Sequence, residues 1–90
     1  MPEEVLFESE RTQSRAEIAE TLRAVADKLD AGESITLSAG EQSIELDPSE
    51  RPEFEIKAER ETGGGEEELS VEFEIEWTPG DEEDGPVSVE

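Results

Sequence analysis

From Leu69 to Trp77 apolar and polar residues alternate without a break: Leu69, Val71, Phe73, Ile75 and Trp77 are apolar, and the residues between them are serine or glutamate. A period of two is the mark of a strand with one face turned inward. The segment "SITLSAGEQSIELD" repeats it, with Ile35 and Leu37, then Ile44 and Leu46, about a Gly40-Glu41 hairpin turn. Pairing Ala39 with Gln42 sets Leu37 against Ile44 and Ile35 against Leu46, so both apolar sets share one face of the pleat. Pro48 and Pro52 end that strand, and "EFEIKAER" then presents Phe54, Ile56 and Ala58. Across a loop at "ETGGGEEE", pairing Ala58 with Val71 brings Ile56 opposite Phe73 and Phe54 opposite Ile75. On the other face that register sets Lys57 against Glu72, but also Glu55 against Glu74 and Glu53 against Glu76.

One segment has a different period. In "SRAEIAETLRAVADKLDAG" the residues Ile18, Ala19, Leu22, Val25, Ala26 and Leu29 recur at helical spacing. Ser14 and Glu17 have the S-x-x-E spacing of a capping box, which starts the helix at about Arg15, and Gly32 stands at the left-handed C-cap position. Val5 and Phe7 suggest a short first strand ahead of the helix. The predicted fold is α+β, one amphipathic helix packed on one face of a four- to five-stranded, mostly antiparallel sheet in the order β-α-β-β-β-β. Residues 1–78 form a single domain in this reading, and residues 79–90 an acidic, mostly disordered tail.

Charge changes the picture. The 28 acidic residues outnumber the 7 basic ones, for a formal net charge of −21. Apolar residues make up only 31% of the chain. That composition leans toward disorder, and only the periodicity argues for a fold. A surface so negative is repelled by phosphates and anionic headgroups, so neither nucleic acid nor membrane is an expected partner. Two explanations compete for the acidity, a basic protein partner or solubility in molar salt. The acids are sprinkled between apolar residues, and lysines number two (Lys28 and Lys57) against five arginines, which favours salt. No apolar run is long enough to span a bilayer, and the start "MPEEV" lacks the pattern of a secretion signal. The expected location is the cytoplasm.

The segments "EEVLFESERTQSRAEIAETLRAVADKLDAG", "RPEFEIKAERE" and "ELSVEFEIEW" together resemble the amphi-Trp domain family over about residues 2 to 78. That resemblance implies a small acidic cytoplasmic protein of halophilic archaea, in a family that supplies no established activity.

Little remains for chemistry. With no cysteine and no histidine, thiol nucleophiles, imidazole bases and the usual zinc sites are excluded. The clusters 66–68 and "DEEDG" (81–85) could gather hard cations, but the second lacks EF-hand spacing, so solvated surface acids are the favoured reading. "TGGG" has neither the lysine nor the helix of a phosphate loop. The paired carboxylates Glu53/Glu76 and Glu55/Glu74 suit glycosidase chemistry only beside a cleft, which one helix on one sheet does not offer. Trp77 is either an aromatic anchor for a partner or the plug at the end of a small core, and the alternation favours the plug. The expected function is a non-catalytic protein-binding or adaptor module with no cofactor and no metal. Its candidate contact residues are Glu72, Glu74, Glu76 and Lys57, on the polar face that a single helix leaves open, and Trp77 at the rim. The alternatives are an acidic accessory protein docking a basic partner, a carboxylate-based enzyme or a cation-binding protein. The expected assembly is a monomer or a weak edge-strand dimer.

Overall fold

The computed structural model describes residues 3–80; the predicted tail from Asp81 onward lies outside them. One helix and four strands follow in chain order: α1 (Arg15–Ala31), β1 (Ile35–Ala39), β2 (Gln42–Leu46), β3 (Glu53–Gly63) and β4 (Glu66–Glu76). The chain divides into two compact units, Met1–Asp47 and Pro48–Glu90.

In the first unit the predicted capping box is formed. The Ser14 hydroxyl accepts from the Glu17 N–H at 3.1 Å, and the Glu17 carboxylate accepts from the Ser14 N–H at 3.1 Å. Two of the amides that a helix start leaves without partners are thereby satisfied. Donation from the Ser14 backbone, then from its hydroxyl, holds the Glu17 carboxyl below its usual range. The far end closes as a Schellman motif: Gly32 adopts φ 70°, its N–H donates to the Leu29 carbonyl at 3.2 Å, and the Glu33 N–H donates to the Lys28 carbonyl at 2.9 Å. The hairpin β1–β2 has the expected register, Leu37 with Ile44 and Ile35 with Leu46. Helix α1 contacts β1. The half-buried apolar residues of this unit are Phe7, Ala19, Val25, Ile35, Leu37, Ala39, Ile44 and Leu46, while Ile18, Leu22 and Leu29 of the helix stripe remain exposed.

The first strand expected around Val5 and Phe7 is not formed. Instead the Gln42 side chain clamps the backbone of Glu8, its Nε2 donating to the Glu8 carbonyl at 3.1 Å and its Oε1 accepting from the Glu8 N–H at 3.4 Å. One side-chain amide thus takes both groups that a strand ladder would pair, at a single residue and without a strand. Phe7 is half-buried beside this clamp in sequence, and Val5 and Leu6 are exposed.

The second unit is a single long hairpin, β3–β4, whose register sets Phe54 opposite Ile75, Ile56 opposite Phe73 and Ala58 opposite Val71. The expected loop over residues 61–68 is shorter than the sequence suggests. The ladder runs on through Glu61–Glu68 and Thr62–Glu67 to Gly63–Glu66, and the chain reverses at Gly64-Gly65 alone. Both glycines have positive φ, 67° and 88°, the backbone of a type I′ turn, whose twist matches that of the flanking strands. The three-glycine run that reads as flexible is therefore the end of a strand and a tight turn.

The four strands form two separate two-stranded sheets, β1-β2 and β3-β4, where the sequence pattern suggested a single sheet of four or five. Among the described residues no side chain is buried.

Candidate partner-contact surface

Alternation sorts the β3–β4 ladder into two unlike faces. One carries Glu53, Glu55, Lys57, Glu59 and Glu61 from β3, and Glu66, Glu68, Ser70, Glu72, Glu74 and Glu76 from β4. Nine glutamates share that face with one lysine. The other face carries Phe54, Ile56, Ala58, Leu69, Val71, Phe73 and Ile75, with Arg60 and Glu67 toward the turn.

On the acidic face three rungs oppose like charges directly, Glu53–Glu76, Glu55–Glu74 and Glu61–Glu68. The first two are the pairs expected from the register; the third follows from the longer ladder. Lys57 sits between Glu59 and Glu72, its Nζ 3.9 Å from a carboxylate oxygen of each. At that separation and about half exposed, these ion pairs contribute a few tenths of a kcal/mol at most. The single cation cannot offset three opposed pairs, each of which costs a similar amount in dilute buffer.

The candidate contact residues fall together. Glu72, Glu74, Glu76 and Lys57 lie along this face, and Trp77 follows directly on its last rung. Trp77 is half-buried and lines a depression of about 440 Å³ with Glu53, Glu76, Thr78, Ser49 and Arg51. The indole is therefore grouped with the outermost glutamate rung. Ser49 and Arg51 were not among the residues singled out from the sequence. The signal for them was the "PSERP" segment, whose two prolines stop the preceding strand and carry the chain past the end of the ladder where Trp77 emerges.

The apolar face has its own geometry. Phe54 and Phe73 stack on a diagonal with ring centroids 6.4 Å apart and planes 11° from parallel, within the range of favourable offset stacking. The turn end of this face is bounded by an ion pair, Arg60 Nε to Glu67 Oε2 at 3.1 Å. Among the described residues no group of three or more acidic side chains converges as a metal site requires, and "DEEDG" lies outside those residues. No described helix is long and apolar enough to cross a membrane.

The Amphi-Trp domain family profile matches residues 1–90. This chain belongs to the Amphi-Trp domain family. The match takes in the alternating strand and its terminal tryptophan, Leu69 to Trp77, and also the acidic segment beyond Trp77 that the resemblance had left out. No curated protein and no solved structure matches this Amphi-Trp chain.

Proposed function

We propose that this Amphi-Trp protein is a non-catalytic protein-binding or adaptor module of a halophilic cytoplasm, and that the Glu-rich face of β3–β4, with Trp77 at its end, is the surface that meets its partner. The observation that carries this reading is the juxtaposition of three directly opposed glutamate pairs with a half-buried tryptophan. Opposed carboxylates lower the stability of the hairpin that holds them, and two things relieve them: screening, or a cationic surface laid across the rungs. Tryptophan beside such a surface supplies the aromatic anchor common at the centres of interfaces.

The same opposed pairs favour a second reading, an accessory protein whose acidic face docks a basic protein. A carboxylate-based enzyme and a cation-binding protein have less support, since the paired glutamates stand on an exposed ribbon and the one pair that borders the depression, Glu53/Glu76, has no third carboxylate beside it there. The test is capture from cell extract on immobilised full-length chain in molar KCl, beside a variant carrying Glu72→Gln, Glu74→Gln and Trp77→Ala. A defined protein retained by the first and lost by the second is the expected result. A retained metabolite, or partners captured equally by both, would refute this surface. Elution by moderate further salt would point to the basic partner of the second reading.

A further inference from the structure

We propose that β3–β4 is an ionic-strength switch, ordered in molar salt and opening in dilute buffer while the helical unit Met1–Asp47 keeps its fold. The two units carry their charge differently. Met1–Asp47 has twelve acidic and four basic residues, for a formal net charge of −8, whereas Pro48–Glu90 has sixteen and three, for −13. Register then decides how much of that charge is held at close range. In β1–β2 no rung opposes two acids, since Glu45 faces Thr36 and Glu41 lies in the turn. In β3–β4 three rungs do, Glu53–Glu76, Glu55–Glu74 and Glu61–Glu68. Side chains directly opposite across an antiparallel pair have their Cβ atoms about 5 Å apart, and like charges there are destabilising.

Salt has two opposing effects on this ladder. Screening relieves the repulsive rungs, and it also weakens the ion pairs of Lys57 with Glu59 and Glu72 and of Arg60 with Glu67. Repulsion is the larger, because the ladder holds ten glutamates against those two cations. The Lys57 pairs, at 3.9 Å and half exposed, are also weak ones. The helix of the other unit has no such imbalance. It sets Glu17, Glu20, Asp27 and Asp30 beside Arg15, Arg23 and Lys28, and direct hydrogen bonds close both its ends. These properties belong to each unit's own sequence and register, so they hold whatever covers the apolar face of β3–β4. The Debye length falls from roughly 20 Å in 20 mM salt to about 3 Å at 1 M, and passes the rung spacing of about 5 Å at roughly 0.4 M. The switch accordingly turns at a few tenths molar, as a local opening of one unit. The Glu-rich face is an ordered surface only above that range. That consequence rests on the face being the partner surface, whereas the switch is a property of the free chain, and either can fail without the other.

The chain supplies its own probes. Its one tryptophan, Trp77, follows the last rung of β3–β4, there is no tyrosine, and the one described helix, α1, belongs to the other unit. Titration of the full chain with KCl from 20 mM to 2 M should change Trp77 emission in a transition centred at a few tenths molar. Ellipticity at 222 nm should stay nearly constant across it. The Ile56–Phe73 Overhauser contact should appear with the transition, and the Leu37–Ile44 contact should be present throughout. The ratio of closed to open hairpin should fall at least tenfold from the upper to the lower end. Glu55→Gln with Glu61→Gln, which takes one carboxylate from each of two opposed rungs, should move the transition at least twofold lower in KCl. Glu41→Gln with Glu45→Gln, which takes as much charge from the β1–β2 hairpin, should leave it in place. Coincident fluorescence and 222 nm transitions overturn the switch, as does an Ile56–Phe73 contact that persists in 20 mM KCl. Equal shifts from the two double variants, or no shift from either, overturn it as well, because the opposed rungs would then not govern the response.

Discussion

Ser14 shows how much a single side chain decides. Its hydroxyl and the Glu17 carboxylate exchange hydrogen bonds that fix where α1 begins. Ser14→Ala removes the cap acceptor and should cost about 1 kcal/mol, read as a lower thermal midpoint by circular dichroism at 222 nm. The pH dependence has a definite sign. Hydrogen bonds from Ser14 hold the Glu17 carboxyl below its ordinary value of 4.5, so its contribution is present above that value and is lost as pH falls through the lowered one. In Ser14→Ala the acid sensitivity should shrink and not vanish, because the backbone N–H at position 14, the larger cause, still donates to the Glu17 carboxylate and only the hydroxyl's contribution is lost. At the other hairpin, Gly65 holds φ 88°, a backbone that an L side chain adopts only at a cost of about 1–2 kcal/mol. Gly65→Ala should therefore lower the midpoint of the whole chain, while Gly63→Ala, at a glycine of ordinary φ with open space around it, should not.

At the level of elements the two hairpins answer to different constraints. β1–β2 is short, five residues a strand, and its register follows from four apolar residues and a Gly-Glu turn. β3–β4 is eleven residues a strand, and its register sets apolar residues together at the cost of setting glutamates together. Charge reversal at one rung tests this. Glu74→Lys converts the Glu55–Glu74 repulsion into an attraction and should stabilise the hairpin in 20 mM KCl by a few tenths to about 1 kcal/mol, read as a higher midpoint, with a smaller gain in 2 M KCl. Nuclear Overhauser contacts between Ile56 and Phe73 and between Leu37 and Ile44 report both registers directly. A slip by one residue would move every apolar side chain to the acidic face, and those contacts would be lost.

For the whole molecule the governing quantity is charge. Residues 61–90 contain twelve acidic residues and no lysine or arginine, and the formal net charge of −21 falls on 90 residues. Self-repulsion of that size opposes compaction, against a total stability of about 5 kcal/mol for so small a domain. The melting temperature at neutral pH should therefore be higher in 2 M than in 20 mM KCl, and Glu74→Gln should narrow the difference. A midpoint indifferent to salt would show that the opposed glutamates are too well solvated to matter, and the salt-based account of the composition would fall with it.

The sequence alone determined every feature that depends on neighbours a few residues apart. Those are the cap at Ser14, the C-cap at Gly32, the extent of α1 and the register of each hairpin, since a period of two or 3.6 and a turn of known length leave one alignment that keeps apolar residues together. It also placed Glu72, Glu74, Glu76 and Lys57 on one face, because alternation alone does that. What the tertiary structure decided lay beyond the reach of periodicity. The N-terminal segment is held by the Gln42 amide rather than by a ladder, a choice between two partners for the same backbone groups that Val5 and Phe7 do not reveal. Strands past Thr62 stay paired up to a two-residue turn because two successive glycines accept positive φ, where composition alone suggested slack. Which strands share a sheet was the least legible point. Alternation says that a strand has an apolar face, but it carries no information on which other element covers that face, and that pairing depends on contacts distant in the chain.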